Sequence, residues 1–210
     1  SSPESPARLP NLLKVLSWNV EKAGTKQRWN TDFQDLASKH DLILLQEGMA
    51  DDFMPTKLRE MPGFEWWMAQ AWRDAKRHST GVISGAHAKS ENVWFLRSPY
   101  NEPIANTPKM TLAQLFETEN GKKLLVINTH GINFVLNKAF KAQMDEIFAF
   151  IDEGIQNHPD LQVIFAGDFN TWNRGRLQYL TVNLSNRGFI HAEFKNQVRN
   201  MILDHIFIRN

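Results

Sequence analysis

Leu161–Asn170 reads LQVIFAGDFN. Its first six residues, Leu161–Ala166, are an apolar run of strand length, which predicts a buried strand. Gly167 then permits a tight turn that carries Asp168 and Asn170 at the strand's end. A plain Asx turn would account for these two residues, but the same arrangement repeats elsewhere in the chain. Asn19 follows the alternating run Lys14–Trp18, Glu47 follows the apolar run Leu42–Gln46, and His130 follows Lys123–Thr129. Asp204 sits within a last strand predicted over Ile202–Ile208. Strand ends that share one edge of a sheet can assemble a site from residues far apart in sequence.

Between these runs the pattern predicts further elements. Strands are expected over Phe64–Trp72, Gly81–Gly85, Asn92–Leu96 and Met110–Glu117, with Asn120-Gly121 marking a hairpin. Short helices are expected over Asp32–Lys39, capped by Thr31, and over Asp52–Met61. The longest helix falls over Asn137–Asn157, where Phe140, Met144, Ile147, Phe148, Ile151 and Ile155 keep the helical period on one face. Arg176–Asn186 predicts another. Strands with hairpins and interspersed helices indicate a single mixed α/β domain.

Composition narrows the function classes. The chain has 210 residues, 42% hydrophobic, with 7 Trp and 14 Phe available for a large core. The Ser- and Pro-rich stretch Ser1–Pro10 is expected to be flexible, and residues 11–210 to form the domain. The 24 basic and 23 acidic residues leave a net charge of +1, so any nucleic-acid contact has to come from a local patch. No Cys is present, which excludes disulfides, thiolate metal sites and cysteine nucleophiles. No apolar run approaches the ~20 residues of a membrane-spanning helix. A monomer is expected; no localisation is assigned beyond a preference for the cytoplasm, with an N terminus trimmed or processed ahead of Ser1.

Taken in order, SWNVE, LLQE, STGV, NTH, GDFN and LDHIF run from Ser17 to Phe207. This series resembles the endonuclease/exonuclease/phosphatase superfamily, the group of DNase I and the apurinic endonucleases, over nearly the whole chain. GDFNTW followed by Arg174 and Arg176 also resembles small bacterial members, many without an assigned substrate. The resemblance implies a four-layer sandwich, two packed mixed β-sheets flanked by helices, and hydrolysis of a phosphate ester by in-line attack of water. It implies Mg²⁺ (or Mn²⁺) held chiefly by Glu47 with Asn19 beside it, since a hard cation can bind through one or two carboxylates and keep several waters. Asp168 would activate the water, with Asn170 fixing that carboxylate or donating to phosphate. His130 would contact phosphate or handle a proton, kept charged by an acidic partner, and Thr80 would support the site beside Gly81. The resemblance further implies a terminal Ser-Asp-His motif whose His the Asp204 position orients. Neither that motif nor the strand bearing it lies in these residues, so a chain continuing beyond Asn210 is expected.

The substrate is less constrained. Trp66, Trp67 and Trp72 precede Arg73, Lys76, Arg77 and His78, an interleaving that suits stacked bases and a phosphate backbone, or simply a core strand followed by a solvated loop. Lys109, Arg174 and Arg176 are further candidates for phosphate contact. A nuclease is the leading expectation. The alternatives are a lipid or small-molecule phosphoesterase of sphingomyelinase type, and a binding module that keeps the fold without turnover.

Overall fold

Alternation of apolar side chains decides the layers. In the computed structural model, which describes residues 5–21, 26–50, 54–73, 77–103, 106–193 and 202–210, strand β2 (Leu42–Ala50) sends Leu42 and Leu44 into one buried cluster and Ile43 and Leu45 into another. Strand β7 (Lys123–His130) divides Leu124 and Val126 from Leu125 and Ile127 in the same way. Strand β8 (Gln162–Asp168) divides Ile164 and Ala166 from Val163 and Phe165. A strand with both faces buried needs two partner layers, one on each side.

Two sheets meet those needs. The first has the order β1-β2-β4-β3, with β1 (Val15–Asn19), β3 (Glu65–Arg73) and β4 (Ser79–Ala86). The second has the order β5-β6-β7-β8-β10-β9, with β5 (Asn92–Asn101), β6 (Pro108–Glu117), β9 (Ile190–His191) and β10 (Asp204–Arg209). Leu42, Leu44, Phe116, Leu124, Val126 and Ile164 fill the space between them. Helices α1 (Lys26–Ala37) and α2 (Met54–Arg59) cover the outer face of the first sheet through Phe33, Ala37, Met54 and Leu58. Helices α3 (Asn137–Asn157) and α4 (Arg174–Ser185) cover the second through Phe140, Met144, Ile147, Leu180 and Leu184. The architecture is the four-layer sandwich, helices outside and two mixed sheets inside.

Several boundaries move from their expected places, each for a local reason. Helix α1 begins at Lys26, so Thr31 lies within it and does not cap it. Helix α4 begins at Arg174 because Asn173 is its N-cap, accepting a 3.0 Å bond from the Arg176 amide. The two-residue β9 has too few residues to show a period. Within the segment expected to be flexible, Leu9 is fully buried between the sheets, and its amide donates to the Glu117 carbonyl at 3.0 Å. Residues 1–4 of that segment lie outside the described residues, as does Lys76 of the basic cluster. Gly167 is not in a turn. It belongs to β8 with φ +144°, and a Cβ there would stand 1.9 Å from the Thr129 carbonyl oxygen of the neighbouring strand.

Candidate functional site

The inter-sheet layer changes character along its length. Beyond Leu44, Val126 and Ala86, the next inward positions are Gln46, Asn128 and Ser84, all buried. Asn128 Nδ2 donates to Leu45 O (3.2 Å), Ile83 O (3.0 Å) and Ser84 Oγ (3.1 Å), and its Oδ1 accepts from Gln46 Nε2 at 2.7 Å. These bonds join the two sheets through a buried polar band, in which Gln46 Oε1 has no hydrogen-bond partner among the described residues. Further along these strands, and on β1 and β8, stand Asn19, Thr80, His130 and Asp168, which line a cleft of about 360 Å³ with Glu47, Lys109 and Asn170. The candidate site is thus the open, polar end of the layer whose apolar part is the core. Glu47, His130 and Asp168 are residues of the strands themselves, not of turns after them, because the ladder continues through the register pair His130↔Asp168.

Asp168 is oriented from two directions. Its Oδ1 accepts the Asn170 amide at 2.9 Å, which is the Asx turn. Its Oδ2 accepts Asn19 Nδ2 at 2.9 Å from the other sheet, a bond that no local turn requires. Asn170 therefore fixes the carboxylate with its backbone; its side chain donates to Gly131 O at 2.8 Å. The Asn19 amide oxygen accepts the Glu21 amide at 3.1 Å.

Glu47 reaches the cleft through a bulge. The β2–β4 register slips between Leu45↔Ile83 and Gly48↔Gly81, and Glu47 takes φ +54°. The extra residue re-aims this side chain toward the cleft, although its neighbour Gln46 points inward between the sheets. His130 Nε2 lies 3.9 Å from Glu47 Oε1. That contact does not keep the ring charged as expected: burial first, and the Lys109 charge second, hold His130 well below its ordinary 6.5. At neutral pH the imidazole is neutral, a single donor and a single acceptor.

The remaining expected residues divide. Thr80 is buried in the cleft wall beside Gly81, and Lys109 lines the cleft with Nζ 3.4 Å from Glu102 Oε2. Arg73 and Arg174 are exposed and lie outside the cleft lining; Arg73 Nε donates instead to Gln70 Oε1 (3.4 Å) and Ser79 Oγ (3.3 Å). Asp204 stands opposite Asp168 in the β10–β8 register, also outside the cleft lining. Of the aromatics, Trp72 lines the cleft, whereas Trp66 stacks on Phe64 with ring centroids 5.3 Å apart.

Arg176 is corrected outright. It is fully buried and faces no phosphate: Nη1 donates to Ile132 O (2.8 Å) and Asn170 O (3.1 Å), and Nη2 to Val135 O (2.8 Å). Its guanidinium lies between the rings of Phe140 and Trp172, and burial draws its pKa from 12.5 to about 10. It clamps the GDFN loop to the loop after β7. Behind that loop His205 is buried, bonded to Thr171 Oγ1 (2.7 Å) and His191 Nε2 (3.0 Å).

Sequence reasoning missed Glu21, Glu102, Asn133 and Phe134, which also line the cleft. They lie on loops or strand ends where no period marks which way a side chain points. Gln46 and Asn128 were in view, inside LLQE and NTH, but nothing in one sequence says that the two amides meet.

Among the described residues, no group of three or more His, Asp and Glu stands ready to enclose a metal ion. The donor set nevertheless fits a hard cation. Glu47 offers a carboxylate, 32% exposed, on the cleft wall, with Glu21 and the Asn19 amide oxygen in the same lining. Mg²⁺ needs little more, since it takes most of its ligands from water and substrate oxygens.

The chain is 28% identical to a UPF0294 protein of Vibrio vulnificus strain YJ016, across 94% of this chain and 68% of the relative. In structure it is similar to the human Nocturnin catalytic domain solved with a bound sulfate anion (TM-score 0.72, 18% identity, 99% of this chain and 83% of that one). It is also similar to a mannosyl-6-phosphatase of Bacteroides thetaiotaomicron (TM-score 0.71, 15% identity, 94% and 85%). The family model of the endonuclease/exonuclease/phosphatase family matches residues 16–210. With its sandwich and with Asn19, Glu47, His130 and Asp168 around one cleft, this chain belongs to the endonuclease/exonuclease/phosphatase family.

Proposed function

We propose that this chain hydrolyses a phosphodiester with the help of a divalent cation, and that its substrate is a nucleic acid. Membership of a phosphoester-hydrolase family supports the reaction type. The observation that carries the reading is the Asp168 carboxylate, tied at one oxygen to Asn170 N and at the other to Asn19 Nδ2, in the wall of an open cleft. A carboxylate fixed in this way, with no basic side chain among the described residues bonded to it, suits a group that takes a proton from an attacking water.

The other residues have complementary work. Neutral His130 donates a hydrogen bond to a phosphoryl oxygen, and Lys109 adds positive charge beside it. Thr80 and Asn170 supply polar wall. Glu47 would hold the cation, with Asn19 near it; a bound cation supplies positive charge for the phosphoryl oxygens and the leaving alkoxide.

The test is hydrolysis of a panel of single- and double-stranded DNA, RNA, a bis-aryl phosphate and sphingomyelin, with Mg²⁺ or Mn²⁺. The expected result is cleavage of a nucleic acid that a chelator abolishes and that Glu47→Gln shifts to much higher metal concentration. Turnover of sphingomyelin alone, or no turnover of any diester, overturns the reading.

A further inference from the structure

We propose that Phe134 is a preformed stacking platform for an unpaired nucleobase of the substrate strand. The proposal rests on the phosphodiester reading of the adjoining cleft and adds to it the part of the substrate that is recognised.

Phe134 lines the same cleft as Asn19, Glu47, His130 and Asp168, yet the residue is 65% exposed. Its backbone has φ +54°, a region that bulky residues rarely enter and that persists only where the surroundings impose it. The surroundings do impose it. Phe134 N donates to Asn133 Oδ1 at 2.8 Å, and Asn133 N donates to Glu102 Oε1 at 2.9 Å. Ile132 N donates to Gln143 Oε1 at 2.7 Å. From beneath, the two ends of the Arg176 fork hold Ile132 O and Val135 O, on either side of Phe134, each at 2.8 Å. Arg176, Gln143 and Glu102 are all buried. The loop is therefore fixed by buried polar anchors and holds a large ring in water at the mouth of a polar cleft.

An apolar ring held out in water is unfavourable unless a ligand covers it, and holding it rigid beforehand removes the ordering cost of binding. The ligand has to combine an apolar face with polar edges, because the cleft that Phe134 lines also presents Asn19, Glu21, Asn133, His130 and Lys109. A nucleobase has that character, and its phosphate carries the charge that suits Lys109. A second aromatic, Trp72, lines the same cleft from the end of β3. A lipid surface fits less well. Leu136, 84% exposed on the same loop, is not part of the cleft lining, whereas Phe134 is.

The experiment is equilibrium binding, with Mg²⁺, of two short labelled single strands of equal length to the Asp168→Asn chain. One is oligothymidylate and the other carries abasic sugars throughout. The readout is the ratio of the two affinities within each variant, which a loss of folded protein leaves unchanged. The oligothymidylate should bind about tenfold tighter or better. Adding Phe134→Ala should bring the ratio close to one, Phe134→Trp should preserve it, and Leu136→Ala should leave it unaltered. Equal affinity for the two strands overturns the platform, and so does a ratio that survives Phe134→Ala. Loss of binding to phosphatidylcholine–sphingomyelin vesicles in both Phe134→Ala and Leu136→Ala, with no strand preference, assigns the ring to a membrane instead and also overturns it. A strand preference without hydrolysis by the unmutated chain would reject the phosphodiesterase reading alone; hydrolysis without the preference would reject the platform alone.

Discussion

Asn19 and Asp168, 149 positions apart, are joined by a 2.9 Å hydrogen bond that crosses from the first sheet to the second. Asn19→Ala removes the donor and leaves the carboxylate free to rotate about its remaining bond to Asn170 N. The kcat for the best diester should fall roughly 10- to 100-fold, the worth of a hydrogen bond to a charged group. Asp168→Asn, which removes the proposed proton acceptor itself, should cost ~10²–10⁴-fold with KM little changed. Steady-state kinetics on both variants checks the order; a larger loss for Asn19→Ala than for Asp168→Asn would shift the central role to the amide.

Asn128 sits where the core gives way to the site, and from β7 of the second sheet its four hydrogen bonds all cross to β2 and β4 of the first. Asn128→Leu is similar in size but removes the donor to two carbonyls and a hydroxyl in a buried place, and takes from Gln46 Nε2 its shortest bond. Stability should fall by about 3 kcal/mol, more than for most single substitutions. Urea unfolding measures it, and a midpoint within error of the unmutated chain would mean that the band does not hold the sheets together.

How far the sequence carried this picture depended on whether a residue's direction follows from a period. Helix α3 was legible to its last residue because one apolar stripe, from Phe140 to Ile151, runs along it. Strands β7 and β8 were legible for the same kind of reason, and so was their convergence on His130 and Asp168. Glu47 was found by its motif, but the bulge that aims it was invisible, since no residue type marks a register slip in β2. The basic residues divide: Lys109 lines the cleft, and the arginines do not. Arg73, Arg174 and Arg176 are close to site motifs in sequence, yet two are exposed outside the cleft and one is wholly interior. A long cation follows whatever carbonyls or water its stem can reach, and proximity along the chain does not fix that.

Arg176 makes its case as an interior clamp. Arg176→Lys keeps the charge but loses the planar fork that meets three carbonyls at once. A loss of about 2 kcal/mol of stability is expected, with a fall in activity that tracks the loosened GDFN loop. Arg174→Lys, at an exposed position two residues away, should be neutral in both measurements. Thermal melts and kcat for the pair decide the matter, and equal behaviour of the two variants would contradict it.

Acid should weaken the fold through His205. Burial first, and the neighbouring His191 second, lower its pKa from 6.5 to about 4. The folded state therefore prefers the neutral ring. That preference stabilises the protein fully above pH 6.5, and it fades as pH falls toward about 4, where the unfolded chain binds a proton and the folded one does not. The gradient over this window is worth about 3 kcal/mol. His205→Asn should flatten it in urea unfolding measured from pH 7 to 4.5; an unchanged slope would assign the acid sensitivity to other groups.

The arithmetic of β2 makes Glu47 vulnerable to length more than to composition. The strand advances three residues, Leu45 to Gly48, while β4 advances two, Ile83 to Gly81. That surplus lets Gln46 reach Asn128 at the joint between the sheets while the very next side chain lines the cleft. A lineage that drops one codon here regains an even alternation, and can keep the amide at the joint or the acid at the cleft but not both. Its core, its other motifs and its fold would survive untouched. Inactive descendants of such a protein would be recognised by a single-residue gap in an alignment, with no acid visibly replaced.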